Sequence, residues 1–187
     1  MLVGGDRETV IELGEARQRA QEHLVRTQQG DGTWTPLWFG NQQAANKENP
    51  VYGTSRVLRA AGVPGNDAWL ASLERALVWL LSVQNNDGGY GGGEGLSSTV
   101  EETALALEAL ADAGLAGLGN RDGLCEAVTR GMQFLASATS EGTSFDPQPI
   151  GLYFAQLWYS ERLYPLIFTV SALESCTRFL KNEDGHA

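Results

Sequence analysis

Cysteine and histidine are scarce in this sequence, which has two of each among its 187 residues. Cys125 and Cys176 lie far apart and form no Cys-x-x-Cys pair, so they predict isolated, buried thiols in a protein of a reducing compartment. His23 belongs to an internal repeat and His186 lies in the polar tail, which leaves no histidine for a zinc site or for a Ser/His/Asp set. We therefore expect no metal and no nucleophilic catalysis.

Basic residues are also in the minority, with 13 Lys and Arg against 23 Asp and Glu and a net charge of -10. Nucleic acids and anionic membrane surfaces recruit patches of Lys and Arg, so this balance argues against both as partners. No apolar run approaches the roughly 20 residues that a membrane helix requires. The first residues contain no basic segment leading into an apolar one, so we expect no signal peptide and a cytoplasmic protein.

The composition is otherwise typical of a globular protein, with 42% hydrophobic and 19% charged residues. A chain of this length can bury one core. We predict a single domain over residues 1–187, in which residues 182–187 form a disordered tail.

The most informative feature present is a segment that recurs three times, at residues 19–34, 75–90 and 130–145. Each copy contains a ring, then a polar side chain and, after a glycine-bearing turn, an aromatic ring. In chain order these positions are His23, Gln28 and Trp34; Trp79, Gln84 and Tyr90; and Phe134, Thr139 and Phe145. Self-similarity at one period predicts a repeat fold.

The spacing within each copy has a structural explanation. The first ring and the polar residue share one stripe of a helix, and the glycine-bearing turn ends that helix. A glutamine amide, with two donors and an acceptor, can join backbone groups at neighbouring helix ends. We therefore interpret the repeated residues as a structural staple between helices and not as catalytic groups.

Periodicity predicts about six helices in three hairpins of about 55 residues each, and no strand. Ser98 and Glu101 predict a capping box, and Pro165 predicts a kink or a restart in the last helix. The predicted helices cover residues 7–28, 52–61, 68–84 and 99–113, a third repeat helix capped by Asn120 or Asp122, and residues of about 159–180.

Two stretches lack this periodicity. Residues 35–50 predict a loop, and two interpretations of it remain open: a lid packed on the core, or a pocket wall formed by Trp38. The glycine-rich residues 88–95 follow no predicted strand and miss the GxGxxG spacing, so they predict a flexible connection and not a phosphate site.

The triplicated pattern resembles the glutamine-tryptophan repeat of squalene-hopene cyclases and related triterpene cyclases. Residues 51–54, Val-Tyr-Gly-Thr, are similar to the family's Tyr-Gly-Thr segment, and the aromatic run ending at Leu-Tyr-Pro-Leu, residues 163–166, agrees with it. The resemblance covers residues of about 19–179 and matches the C-terminal half of the family's catalytic domain. It implies an all-α fold, part of an α/α toroid whose second helices line the inside.

The resemblance also implies site residues. Tyr52 matches a family tyrosine that holds hydrogen bonds near the catalytic acid, although a buried tyrosine at a helix start is an equal interpretation. Trp38, Tyr153, Leu157 and Trp158 fall in or beside positions that line the family's cavity, where ring faces stabilise carbocations.

The acid itself is missing. The family protonates its substrate with an Asp-x-Asp-Asp motif, because a carboxyl group of that acidity needs a cluster of acids and donors. The aspartates of this sequence all stand alone, so we expect no catalytic residue in it.

Two functions follow from these observations. In the first, the chain is the C-terminal part of a terpene cyclase that cyclises an isoprenoid hydrocarbon such as squalene without metal or cofactor. It would be inactive alone, would associate with itself or with an N-terminal half domain, and would belong to an enzyme peripheral to the membrane. In the second, it is a non-catalytic helical-repeat module that binds an apolar ligand or a protein.

Overall fold

The computed structural model describes residues 7–153 and 157–182. Within them lie six helices and one pair of short strands. The elements are α1 (Arg7–Thr27), α2 (Pro50–Leu58), α3 (Asp67–Ser82), α4 (Val100–Leu115), α5 (Arg121–Ala138), β1 (Gly151–Tyr153), β2 (Leu157–Tyr159) and α6 (Tyr164–Lys181).

The helices form two layers. Helices α2, α4 and α6 lie side by side with α4 in the middle, while α1, α3 and α5 pack behind them. Helix α4 is the centre of the core, because its residues from Val100 to Ala111 are all buried and most of them are alanine or leucine. Successive helices alternate between the layers, so the predicted arrangement of helical hairpins is confirmed.

Polar side chains cap the N-terminal ends of most of the described helices, where backbone N–H groups have no acceptor within the helix. Asn66 and Asn120 cap α3 and α5, each accepting a hydrogen bond from a backbone N–H three residues further on. At α4 the predicted capping box is wrong, because Thr99 is the cap and accepts from the Glu102 N–H at 3.2 Å. The Ser98 hydroxyl instead donates to Asp87 in the preceding turn.

The repeated glutamines connect successive helices of the α1, α3 and α5 layer. Each side-chain amide donates one hydrogen bond to its own turn and a second to a carbonyl of the next helix in that layer. The bonds run from Gln28 to Gly32 (2.9 Å) and Ser72 (2.8 Å), and from Gln84 to Gly88 (2.8 Å) and Ala127 (2.9 Å). Hydrogen bonds from Arg75 to Gln28 and from Arg130 to the Asn85 carbonyl reinforce the two links.

The rings of the repeat divide into two classes. Trp34 and Tyr90, which follow the turns, are buried, and their backbone N–H groups donate to Thr54 on α2 and Thr103 on α4. The rings on the helices, His23, Trp79 and Phe134, remain partly or fully exposed. In the third copy the ring of Phe145 is half-buried, and the Thr139 hydroxyl donates to Leu135 within its own helix.

The region before the last helix differs from prediction. Strands β1 and β2 form an antiparallel ladder that pairs Gly151 with Tyr159 and Tyr153 with Leu157, so the expectation of no strand is wrong. Helix α6 begins at Tyr164 and not near residue 159. Pro165 lies in its first turn, where a missing N–H costs no helical hydrogen bond.

The glycine-rich connection is also tightly packed where flexibility was expected. Gly91, Gly92 and Gly93 are buried, and a Cβ on Gly92 would lie 2.4 Å from the Cβ of Asn41. The Gly92 carbonyl accepts from the Val51 N–H. This segment is therefore held between the α2 start and the loop of residues 35–49.

Candidate functional site

Aromatic rings from four segments lie near one another at the N-terminal ends of α2 and α6. We call Phe39, Tyr52, Trp158, Tyr159 and Tyr164 the aromatic cluster. The rings of Phe39 and Tyr52 stack with centroids 3.9 Å apart and planes 11° from parallel. Tyr164 stacks in turn on Phe168, one helical turn further along α6, at 5.1 Å. The Phe39–Tyr52 stack thus joins the loop to α2, while Tyr159 of β2 and Tyr164 of α6 lie close enough to act electrostatically on Tyr52.

Backbone hydrogen bonds dock the β1–β2 hairpin onto residues 38–40. The Leu152 N–H donates to the Trp38 carbonyl and the Gly40 N–H to the Ile150 carbonyl, both at 2.9 Å. A Cβ on Gly40 would lie 2.3 Å from the Lys47 carbonyl and 3.0 Å from the Trp158 ring. Only glycine allows the loop and the hairpin to approach this closely.

The Tyr52 hydroxyl is a neutral polar group within the cluster. Burial raises the pKa of Tyr52, with Arg56 opposing the shift and Tyr164 and Tyr159 adding to it. The phenol therefore stays protonated at neutral pH, when it can donate or accept a hydrogen bond but cannot act as a base.

The predicted pocket residues lie in one region but differ in exposure. Tyr52 and Trp158 are half-buried, whereas Trp38 is 40% exposed and Leu157 is 66% exposed. Tyr153 lies on β1 opposite Leu157, and its side chain is outside the described residues. Phe39, the neighbour of Trp38 in the loop, is the residue whose ring stacks on Tyr52 of α2.

Acidic residues inside the core were missed by reasoning from the sequence. Glu101 and Glu102 lie side by side in the first turn of α4, 0% and 2% exposed. One oxygen of Glu102 accepts from the side-chain amides of Asn41 and Asn49, both at 3.1 Å, and one oxygen of Glu101 accepts from the Gln148 N–H at 2.8 Å. The second oxygen of each is buried without a hydrogen-bond partner among the described residues.

Burial dominates the ionisation of both groups. It raises the pKa of Glu102 to about 7, and the adjacent Glu101 adds to this shift while the amides of Asn41 and Asn49 oppose it. Burial also raises the pKa of Glu101, against the hydrogen bond from Gln148. The sequence did contain a signal for these buried acids. A helix that is apolar on all sides is normally buried, so an acid pair at the start of such a helix is expected to be buried with it.

A third buried acid on α4 has a structural role. Glu108 accepts from Arg59, the residue that follows α2, at 2.9 Å and from the hydroxyl of Ser171 on α6. One turn later Asp112 lies 3.6 Å from Arg59 and 3.7 Å from Arg178. This network links the three helices of one layer at the end away from the aromatic cluster.

The described residues contain no group of three His, Cys, Asp or Glu side chains that could hold a metal ion. Of the described helices, none combines the length and apolarity needed to span a bilayer.

Comparison with known proteins identifies the family. The sequence model of the squalene-hopene cyclase C-terminal domain matches residues 8–178. This chain belongs to the squalene-hopene cyclase family. A probable squalene–hopene cyclase of Sinorhizobium fredii is 32% identical over 156 residues, which cover 74% of this chain and 22% of that protein.

Other relatives extend the comparison. An ent-copalyl diphosphate synthase of a Streptomyces species is 29% identical over 157 residues, covering 84% of this chain and 26% of that protein. The solved structure of ent-copalyl diphosphate synthase from Streptomyces platensis is similar with a TM-score of 0.67 at 19% identity, over 92% of this chain and 29% of that chain. The fold is therefore that of part of an α/α toroid, and the chain spans about a quarter of the length of these relatives.

Proposed function

We propose that this chain forms part of the wall of an apolar cavity in which a terpene cyclase cyclises a polyene. The observation that carries this proposal is the aromatic cluster, which lies within residues 8–178, the part of the chain that matches the squalene-hopene cyclase C-terminal domain. Ring faces attract cations electrostatically, and a carbocation intermediate carries the charge that they favour. Tyr52, Trp158 and Trp38 are the wall residues that we propose, with Tyr153 and Leu157 from the hairpin.

The relatives support an isoprenoid substrate. Those named squalene–hopene cyclases favour a hydrocarbon such as squalene, and we propose it as the substrate of the complete enzyme. Others are named diphosphate synthases, so a prenyl diphosphate is the competing substrate class in the test below.

We further propose that the chain alone does not catalyse cyclisation. Protonating an alkene requires a strong carboxylic acid, and the sequence lacks the Asp-x-Asp-Asp motif. The buried glutamates do not replace it, because burial raises the pKa of Glu102 to about 7 and so weakens it as an acid. The wall residues would stabilise a cation that another part of the enzyme makes.

The test is incubation of the purified chain with squalene, and separately with geranylgeranyl diphosphate, followed by gas chromatography of the extracts. We expect no cyclic product from the chain alone. With an N-terminal portion of a family member that carries the Asp-x-Asp-Asp motif, we expect cyclic product from squalene.

The matched variants are Trp158→Ala in the wall and Val78→Ala at an exposed position of α3. We expect the first to lower product formation in the mixture by about tenfold or more, and the second to leave it unchanged. Cyclic product from the chain alone would overturn its inactivity. No product from any mixture, combined with binding of squalene, would favour a non-catalytic module.

A further inference from the structure

The two consecutive glutamates of α4 contact two different loop segments. Through Asn41 and Asn49, Glu102 holds residues 39–49, the segment that carries Phe39. Through the Gln148 N–H, Glu101 holds residues 146–150, which lead into β1. Because neighbouring residues on a helix differ by about 100° in direction, one turn of α4 can reach both segments.

Hydrogen bonds through Asn49 connect Glu102 to the aromatic cluster. The Asn49 side chain that donates to Glu102 also donates to the Gly40 carbonyl at 3.2 Å and accepts from the Tyr52 N–H at 2.9 Å. Gly40 follows Phe39, whose ring stacks on Tyr52. The Asn49 amide thus bonds the backbone beside each of the two stacked rings, and Glu102 holds that amide in place.

The contacts of Glu101 reach the same cluster from the other side. The segment held at Gln148 continues to Ile150, whose carbonyl accepts from the Gly40 N–H. Two residues later the Leu152 N–H donates to the Trp38 carbonyl. The segment bonded to Glu101 and the segment bonded to Glu102 are therefore also joined to each other by backbone hydrogen bonds.

We propose that Glu101 and Glu102 are positioning residues for the aromatic cluster: Glu102 fastens the segment that carries Phe39, Glu101 fastens the segment that leads into the hairpin of Trp158 and Tyr159, and α4 sets the relative placement of the two segments. The proposal rests on the proposed function only in assigning the cluster to a cavity wall. The carboxyl groups do not touch the reacting atoms, and their effect is exerted through Asn41, Asn49 and Gln148.

Among the described residues, charged side chains lie near Glu102 on α4, on the overlying loop and in the region of α2. On α4 the adjacent Glu101 acts on it directly. On the overlying loop Lys47 donates to the Gln42 carbonyl and Glu48 accepts from Asn46. On α2 the side chain of Arg56 is exposed, and Arg59 pairs with Glu108. Local opening that hydrates Glu102 restores the ordinary pKa of a carboxyl group, so opening becomes easier as the pH rises toward 7.

The experiment is hydrogen–deuterium exchange followed by mass spectrometry on the full chain. We expect Glu102→Ala to raise exchange in residues 39–52 by about tenfold or more, and Glu101→Ala to do so in residues 146–153. The glutamine variants of both keep an acceptor oxygen and should retain most of the protection. Peptides from residues 121–138 of α5 serve as the internal reference and should not change.

A pH series tests the same link through the ionisation of Glu102, and the α5 peptides report any general loss of stability. Corrected for intrinsic rates, protection of residues 39–52 should fall from pH 5 to pH 7 in the wild type and stay level in Glu102→Gln. If Glu102→Ala does not fold, Asn41→Ala removes one donor to the same carboxylate and should raise exchange in residues 39–44.

Unchanged exchange in these variants, or an increase spread evenly over the chain, would overturn the proposal. No ligand takes part in the measurement, so such a result would leave the proposed cavity wall standing. A failure of the cyclisation assay would equally leave the positioning role intact.

Discussion

At the scale of single residues, the acidic side chains of α4 show how burial changes chemistry. An exposed glutamate ionises near pH 4.5, whereas burial raises the pKa of Glu102 to about 7. The same sequence letters would describe a solvated helix start if α4 were at the surface. The core around the helix is what makes this pair unusual.

The pKa of Glu102 predicts a dependence of stability on pH. Below about pH 4.5 the carboxyl group is protonated in both folded and unfolded chains. As the pH rises toward 7 the unfolded chain loses the proton first, so the free energy of unfolding falls, by about 3 kcal/mol at most. Urea unfolding at pH 5, 6, 7 and 8 would measure this decline.

Glutamine at position 102 cannot ionise. In Glu102→Gln the free energy of unfolding should therefore lose most of the pH dependence that Glu102 causes. The exposed residue Glu126 of α5 provides the control, and Glu126→Gln should follow the wild-type curve. Parallel pH profiles for wild type and Glu102→Gln would show that the carboxyl group is not held neutral in the folded chain.

At the scale of elements, the repeated turns connect one hairpin to the next. A glutamine side chain is partly buried at each of the first two turns and satisfies two carbonyls, one of which belongs to another helix. Gly32 and Gly88 have positive φ angles of 95° and 86°, which glycine adopts readily. Their turns lie directly against the backbone of Arg75 and Arg130.

Truncating one of these glutamines should weaken the joint between α3 and α5. Gln84→Ala leaves the carbonyls of Gly88 and Ala127 without that donor, at a cost of about 1 to 3 kcal/mol. Gln133→Ala, at an exposed position of α5, is the control and should change stability little. Chemical denaturation would measure both, and a Gln84→Ala midpoint equal to that of wild type would contradict the staple.

At the scale of the whole molecule, one side of α6 is apolar and exposed. Its residues recur at intervals of three and four, as on one face of a helix. They are Leu163, Leu166, Ile167, Val170 and Leu173, with exposed fractions between 38% and 58%. The opposite side of α6, including Cys176 and Phe179, is buried against the rest of the core. We expect an exposed apolar face of this kind to be an interaction surface.

We expect this face to mediate self-association of the isolated chain, as a twofold dimer. In a complete enzyme we propose that an N-terminal half domain covers it instead. Sedimentation at about 0.15 M salt should give a dimer or a larger species, because the net charge of -10 is then screened. Val170→Glu should produce a monomer, while Val78→Glu on α3 should not. A wild-type monomer over about a hundredfold concentration range would refute the expectation.

The sequence by itself determined the helices, the repeat and the family. Helix α3, predicted at residues 68–84 and observed at Asp67–Ser82, illustrates why: its apolar period, its cap and its terminal turn all lie within a few residues of one another. The glutamine motif was visible for the same reason, since each copy is local and the copies repeat. The class of site could be inferred only through the family resemblance.

The tertiary structure decided what depends on distant segments. The strands β1 and β2 have three residues each, and part of their pairing is with residues 38–40, more than 100 positions away. No local period reveals such a contact. Likewise the raised pKa of Glu102 results from burial in a core assembled from several helices, against the opposing hydrogen bonds from Asn41 and Asn49, because desolvation depends on what surrounds a group and not on its neighbours in sequence.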